Sequence, residues 1–396
     1  MKRLFLVLIL FLFVQSVVAC DKRPEVKILA PGEYMTEETI KAFSKKHGIK
    51  VVIDEFASNE EAITFIKSGA EYDLILPSEY ALEQLIVENP EYLKKVDWNK
   101  ITTFNKETDL SNGLDELLNN LKVDSGFDLL EYGVPYFWGS VGLLYNSEVV
   151  APEDVQQGWE LLRMGDKYNV AFYDSSRDAL MTALVTLGYS MNTNNEEEVN
   201  AAKAWIEVGA KKGVGYLTDD IFDEIPNKNY DVAMAYSGDA AEIIYRVYDE
   251  EIDLQLDFVT PEVGTNIWID FLAIHSSANE ENVYKFLNHI LSYDGALENT
   301  RSLFYASPRE DVRQGQIRTA STERIKELYT IDFREQDEIF RFDPVSKELI
   351  DNAWNSIGVR RQGKPINLST IIITVVGGVL VVGVIATFII VRRKRR

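Results

Sequence analysis

Short apolar runs rich in β-branched residues alternate with segments of helical period along most of the chain. The runs predict strands, because most are bounded by turns or polar stretches. They are Val26–Leu29, Val51–Ile53, Leu74–Leu76, Val141–Tyr145, Val170–Tyr173, Val232–Tyr236, Leu256–Val259 and Phe271–Ile274. The predicted helices are 37–46, 59–68, 79–88, 177–188, 197–211, 239–249, 279–292 and 345–357. This alternation favours α/β layers with largely parallel sheets.

Two of the helix starts carry the pattern of a capping box, Ser58-x-x-Glu61 and Ser277-x-x-Glu280. The part of the chain between its two ends is about 345 residues long, which exceeds one comfortable hydrophobic core. We therefore predict two α/β lobes.

The first residues have the features of a secretory signal. Lys2 and Arg3 precede an uncharged apolar run, and Val17-Val18-Ala19 leads into Cys20. Because the only cysteine stands at the predicted cleavage point, residues 1–19 are interpreted as a signal peptide that resembles that of a bacterial lipoprotein, with Cys20 as the lipidated residue. The alternative is an uncleaved N-terminal anchor with an incidental cysteine.

The other end predicts a membrane span. Residues 367–391 carry no charge and are long enough to cross a hydrocarbon core of about 30 Å. Residues 392–396, Arg-Arg-Lys-Arg-Arg, are predicted to stay in the cytoplasm by the positive-inside rule. Residues 20–366 are thereby placed outside the cytoplasmic membrane, attached to it at both ends.

The body between these ends is strongly acidic. The chain has 63 Asp and Glu against 41 Lys and Arg, and its net charge is −22. Such a field repels phosphate backbones and attracts cations, so nucleic acid binding is not expected. A single cysteine excludes an intrachain disulfide and every multi-cysteine metal site. The three histidines show no metal-ligand spacing, so neither a metal nor another cofactor is predicted.

Aromatic residues stand beside carboxylates where several strands end. Trp268 and Asp270 are two apart in an extended segment, so both side chains are expected to face one space. Tyr236 ends a predicted strand and Asp239 begins the next segment, and Glu33 and Tyr34 follow the first strand. Since α/β sheets expose ligand groups at the carboxyl ends of strands, these pairs predict a site for an ammonium group.

Several sequence blocks resemble spermidine/putrescine-binding proteins of bacterial ABC importers, in the same order and at similar spacing. They are Ser58-Asn59-Glu60, Tyr72-Asp73-Leu74 with Pro77-Ser78 and Tyr80, Val134-Pro135-Tyr136-Phe137-Trp138-Gly139, Leu187-Gly188-Tyr189-Ser190 with Asn192-Thr193, and Trp268-x-Asp270-x-x-Ala273-Ile274. The resemblance covers residues 26–357. It implies an α/β, two-lobed type II periplasmic-binding-protein fold with the ligand between the lobes, and an ABC permease as partner. No catalytic residue is implied.

The resemblance also implies domain limits and residue roles. Lobe 1 would take about 24–138 and 269–307, lobe 2 about 139–268 and 308–360, and the chain would cross near 137–140 and 266–270. The positions that match ligand contacts of the family are Tyr34, Ser78, Tyr80, Asp178, Tyr236, Trp268, Asp270 and Tyr305.

Three positions depart from the family pattern and leave the choice of polyamine open. Pro31 stands where a ligand-stacking tryptophan is expected, Ser175 where some members have a second aspartate, and Arg341 where a polar amide contact is expected. Two other functions remain possible at this point. One is binding of another cationic solute (thiamine-like, metal or amino-acid-derived) by the same fold, and the other is a surface glycosidase that uses two carboxylates.

Overall fold

The computed structural model describes residues 23–32 and 34–357. The predicted signal peptide 1–19, Cys20, Glu33, the predicted helix 367–391 and the basic tail 392–396 lie outside the described residues. Across the described ranges, none of the helices combines the length and the apolar character that a bilayer crossing requires.

Ten strands form one continuous hydrogen-bonded sheet in the order β2-β1-β3-β10-β5-β8-β6-β7, with β4 beside β10 and β9 beside β5. The strands are β1 Glu25–Pro31, β2 Lys50–Phe56, β3 Leu74–Ile75, β4 Leu93–Lys94, β5 Gly133–Asn146, β6 Val170–Tyr173, β7 Gly215–Leu217, β8 Val232–Tyr236, β9 Leu256–Val259 and β10 Ile267–His275. All eight predicted strands are present, and β5 and β10 extend well beyond the predicted runs.

The two long strands divide the sheet into two halves. The first part of β5 pairs antiparallel with β10, from Gly133–Ala273 to Ser140–Ile267. From Val141 onward the same strand pairs with β8 and β9 instead. We call the half built on β1–β4 lobe 1 and the half built on β6–β9 lobe 2. The change of partner falls next to the crossing predicted near 137–140.

Fourteen helices surround the sheet in the described part of the chain. They are α1 Glu37–His47, α2 Asn59–Lys67, α3 Glu79–Glu88, α4 Asn112–Ser125, α5 Pro152–Val155, α6 Ser176–Thr186, α7 Glu196–Ala210, α8 Ile221–Glu224, α9 Ser237–Asp249, α10 Glu280–Ile290, α11 Tyr293–Leu303, α12 Glu310–Thr319, α13 Glu323–Leu328 and α14 Pro344–Ser356. Every residue of β10 is buried, as expected for a strand that is covered on both faces.

The serine half of one predicted capping box is present, and the other predicted box is wrong. At the start of α2, the Ser58 hydroxyl accepts a hydrogen bond from the Glu61 amide at 3.2 Å. Helix α10 begins two residues later than the Ser277 box requires, because Asn279 provides its N-cap. The Ser277 hydroxyl instead donates to the Tyr72 carbonyl oxygen at 2.8 Å, so it serves the neighbouring loop.

A third connection between the lobes follows α11. Arg309 donates to the carbonyl oxygens of Thr103 and Leu291 in lobe 1, at 2.6 and 2.9 Å. Further along, Arg324 in α13 lies 3.4 Å from the Asp257 carboxylate in β9 of lobe 2. The chain therefore changes lobe between these two arginines, and α14, the last helix of the described residues, packs against α6 and α7.

Candidate functional site

The predicted site residues that the structure describes lie together where the lobes meet. The centre is Asp270 on β10, a residue that is 7% exposed. Its carboxylate accepts a hydrogen bond from the Ser78 hydroxyl at 2.6 Å and another from the Tyr34 hydroxyl. We call the residues gathered around Asp270 the interlobe cluster. Its members are Tyr34, Ser78, Glu79, Tyr80, Tyr136, Phe137, Arg177, Asp178, Tyr236, Asp239, Trp268, Asp270 and Tyr305.

Local structure fixes Ser78 beside Asp270. Ser78 forms an isolated antiparallel bridge with Asp270 and is the N-cap of α3. Asn59 holds it from the other side, since its amide oxygen accepts from the Ser78 amide and its nitrogen donates to the Ser78 hydroxyl, both at 3.0 Å. The hydroxyl is thus oriented to donate to the carboxylate.

Aromatic rings form a row along the cluster with Trp268 at its centre. The rings of Tyr236 and Tyr305 each lie 5.7 Å from the indole at 86°. Tyr305 continues the row to Tyr34 at 5.3 Å. The indole nitrogen donates to the Ser140 carbonyl oxygen at 3.3 Å, so Trp268 is fixed to β5 at the point where that strand changes partner. Trp268 and Asp270 face the same cluster, as the spacing predicts.

Asp239 and Asp178 place two further carboxylates at the lobe 2 side. Asp239, in the first turn of α9, accepts a hydrogen bond from the Tyr305 hydroxyl. Asp178, in the first turn of α6, lies beside the Tyr236 hydroxyl and the Ser175 side chain. Its Oδ1 atom is buried without a hydrogen-bond partner. A buried acceptor of this kind is costly unless a donor reaches it.

Burial raises the pKa of all three aspartates. The pKa of Asp239 is raised to about 7 and that of Asp270 to about 6, while the pKa of Asp178 is also raised. In each case removal of water is the main cause, and the hydroxyl donors oppose it in part. A cation placed among these groups would favour their ionised forms.

Tyr80 occupies one edge of the cluster and faces a residue that sequence reasoning did not select. The guanidinium carbon of Arg177 lies 4.3 Å from the centroid of the Tyr80 ring. Arg177 is only 4% exposed and its Nη2 atom has no hydrogen-bond partner. The Tyr80 hydroxyl lies 3.4 Å from Glu60. The one available signal was the position of Arg177 directly before the selected Asp178.

Other cluster members were also missed. Phe137 on β5 packs edge-on against Tyr34 at 5.3 Å, and the Tyr136 hydroxyl donates to the Tyr34 carbonyl oxygen at 2.8 Å. Buried Glu79 accepts a hydrogen bond from the Ile269 amide at 2.8 Å. Within residues 23–32 and 34–357, no group of three or more His, Cys, Asp or Glu side chains is arranged to hold a metal ion.

Two α/β lobes that share long strands and meet over a buried cluster of aromatic rings and carboxylates define a two-lobed solute-binding protein. The chain belongs to the family of bacterial extracellular solute-binding proteins, which matches residues 38–326.

Comparison with named proteins and with solved structures leads to the same family. The spermidine/putrescine-binding periplasmic protein of Salmonella typhimurium is 28% identical over 286 residues, which cover 71% of this chain and 77% of that protein. The putrescine-binding periplasmic protein SpuD of Pseudomonas aeruginosa is 27% identical over 357 residues, covering 83% and 94%. A solved structure, a putative spermidine/putrescine ABC transporter from Listeria monocytogenes, is 26% identical with a TM-score of 0.72, covering 85% of this chain and 99% of that one.

Proposed function

We propose that this protein binds a polyamine between its lobes and delivers it to an ABC permease without changing it covalently. The observation that carries the proposal is the interlobe cluster itself, in which buried carboxylates flank a row of aromatic rings. A polyamine is an apolar chain with ammonium groups at intervals, so it needs this combination. Cation–aromatic contacts contribute about 0.5–2 kcal/mol each, and the carboxylates pair with the ammonium groups.

The similar proteins named above support the same ligand class, since their names specify spermidine or putrescine. The proposed site residues are Trp268, Asp270, Tyr236, Asp178, Tyr305, Tyr34, Ser78, Tyr80 and Asp239, with Glu33 from the sequence. Ligand that contacts both lobes would stabilise the closed form, which the permease would recognise.

The location proposed for this function is the outer face of the bacterial cytoplasmic membrane. A lipid on Cys20 and a helix at 367–391 would hold the binding region at that face, since stable anchoring takes more than one acyl chain. Two attachments would raise the effective concentration of the protein at its permease without any new contact.

Calorimetric titration of the purified protein with putrescine, spermidine, spermine and thiamine tests the proposal. We expect saturable binding of at least one polyamine and no binding of thiamine. Binding of thiamine alone would point to another cationic solute on the same fold. Absence of all binding to a correctly folded protein would contradict the proposal.

Replacing Trp268 by alanine is expected to weaken polyamine binding at least tenfold, about 1.4 kcal/mol, because the central aromatic face is lost. The matched control is Trp98→Ala, since the Trp98 indole also donates to a carbonyl oxygen, that of Leu130 at 2.8 Å, but lies outside the cluster. Titration calorimetry should show near-normal affinity for the control. Equal losses in both variants would argue against the role assigned to Trp268.

Gly238→Ala is expected to weaken binding about tenfold or more, about 1.4 kcal/mol. A Cβ atom at Gly238 would lie 2.0 Å from the Tyr305 ring, so the ring must shift, and the shift disturbs its hydrogen bond to Asp239. Gly315→Ala in α12 is the control, because the nearest atom to its added Cβ is 4.0 Å away at the end of a flexible side chain. Thermal unfolding and titration should separate a shifted ring from a misfolded protein. Unchanged affinity in Gly238→Ala would contradict the predicted displacement.

A further inference from the structure

The segment 338–342 is fixed to lobe 2. The Glu338 carboxylate accepts a hydrogen bond from the Met191 amide at 3.2 Å, and the Asn192 side chain accepts one from the Arg341 amide at 2.8 Å. Met191 and Asn192 lie in the chain between β6 and β7, within lobe 2. The segment is therefore expected to move with lobe 2 when the angle between the lobes changes.

Side chain and backbone of the same segment contact helix α3 of lobe 1. The Nε and Nη2 atoms of Arg341 contact the two carboxylate oxygens of Glu83 at 3.1 and 2.7 Å. The Phe342 amide also donates to Glu83, at 2.8 Å. Bidentate pairs of this kind are geometrically specific. Glu83, which is only 7% exposed, is thus held by three donors from the other lobe.

Phe340 adds an apolar contact between the lobes. It is buried, and it shares a narrow crevice with Leu121, Phe127 and Leu129, which lie in the chain between β4 and β5 on the lobe 1 side. Its ring also packs edge-on against Tyr80 of α3, with 6.1 Å between the ring centroids. Separation of the lobes would expose this ring to water, which is unfavourable.

We propose that Phe340, Arg341 and Glu83 form a latch that holds the lobes together in the absence of ligand, and that the latch sets the affinity without touching the ligand. The inference rests on the proposed function. None of the three residues is among the proposed ligand contacts, so the latch closes on groups of the protein alone. The apparent dissociation constant of a ligand that binds the closed form is its intrinsic value divided by the closed fraction. A weaker latch therefore weakens the binding of every ligand by the same factor.

Titration calorimetry with putrescine and spermidine tests this common factor. Arg341→Gln leaves Glu83 buried without its cation in the closed form, which disfavours closure. We expect both amines to bind at least fivefold more weakly, with losses that agree within twofold. The double variant Glu83→Gln with Arg341→Gln removes both charges and should recover part of the loss, which also guards against a misfolded single variant.

Arg334→Gln is the matched control, because Arg334 forms the same kind of pair within one lobe. Its Nε and Nη2 atoms contact the two carboxylate oxygens of Asp337 at 2.9 and 2.7 Å, and it also donates to the Pro261 carbonyl oxygen, just beyond β9 of lobe 2. A change in the angle between the lobes leaves this pair intact. We expect the control to lose thermal stability and to keep its affinity for both amines.

Hydrogen exchange at two neighbouring amides measures the latch in the unliganded protein. The Phe342 amide donates to Glu83 across the lobes, whereas the Arg341 amide donates to Asn192 within lobe 2, both at 2.8 Å. We expect both amides to be protected in the wild type. In Arg341→Gln the protection factor of the Phe342 amide should fall at least fivefold, while that of the amide at position 341 stays.

A Phe342 amide that exchanges freely in the unliganded wild type would overturn the latch. Losses in Arg341→Gln that differ by more than twofold between putrescine and spermidine would overturn it too, since they would indicate a direct ligand contact. Unchanged affinity in Arg341→Gln would have the same consequence. If neither amine binds the wild type, the proposed function fails, and the exchange of the Phe342 amide still decides whether the lobes are latched.

Discussion

We expect the replacement of Asp270 by asparagine to weaken polyamine binding about thirtyfold or more. Removing one member of a buried, hydrogen-bonded charge pair typically costs about 2–5 kcal/mol. Here the Ser78 and Tyr34 hydroxyls both donate to the Asp270 carboxylate. In the asparagine variant, an NH2 donor group replaces one carboxylate oxygen, so one of the two hydroxyls loses its acceptor. The variant therefore loses the charge that pairs with the ammonium and also disturbs the hydroxyls that hold the site. Titration calorimetry with putrescine and spermidine measures the loss.

Asp154→Asn is the matched control for this prediction. Asp154 is also buried, at 7% exposure, and it too accepts a hydrogen bond from a tyrosine hydroxyl, that of Tyr168 at 2.7 Å. It lies outside the interlobe cluster and pairs with Lys167. We expect this variant to lose some thermal stability and to keep its affinity. Wild-type affinity in Asp270→Asn, in a protein that is folded, would remove Asp270 from the site.

Polyamine affinity is expected to fall at least tenfold between pH 8 and pH 5. The pKa of Asp239 is about 7 and that of Asp270 about 6 in the unliganded protein. An ammonium ligand needs both carboxylates ionised, so binding below these values must first remove protons. Calorimetry in two buffers of different ionisation enthalpy should detect proton release at pH 6. Asp239→Asn should release fewer protons, and identical release in both proteins would contradict the prediction.

The same shifts fix the sign of the effect on stability. A carboxyl whose pKa is raised by folding binds its proton more tightly in the folded state than in the unfolded state, where the value is about 3.9. The contribution of Asp239 to the free energy of unfolding is therefore complete below about pH 4 and is lost as the pH rises through about 7. Asp239→Asn should become more stable relative to wild type over that interval.

Periodicity predicted many of the elements whose buried faces are apolar, but helix α4 was missed although its buried residues Leu114, Leu117, Leu118 and Leu121 have the helical period. Strands β6, β8 and β9 begin and end at the predicted residues, and so does α3. Helix α11 was missed because its buried residues are Gly295, Asn299 and Thr300, which give no hydrophobic period. Helix α12 escaped for a similar reason, since it buries Val312, Gly315 and Gln316. A buried helix face made of polar residues and glycine can be predicted only when the surface that it packs against is known.

The candidate site was predicted in part. Trp268 and Asp270 were predicted from their spacing along one extended segment, and Tyr236 and Asp239 from their position at a strand end, because both features determine the direction of a side chain. The sequence offered nothing comparable for Arg177 and Glu79. Arg177 reaches Tyr80 and Glu79 only because lobe 2 packs against lobe 1. These residues are about 100 positions apart in the chain, so no local sequence pattern predicts that they meet.

Trp268 and Asp270 lie on β10, and the Trp268 indole is bonded to β5 at Ser140, where the sheet passes from one lobe to the other. The groups proposed to hold the ligand thus lie on the two long strands that the lobes share. A small rotation about such a shared strand would become a large displacement at the far surface of each lobe. Under the proposed function, a ligand held there would act on the angle between the lobes without a relay of intermediate residues, and its effect would be largest at the surfaces farthest from the site.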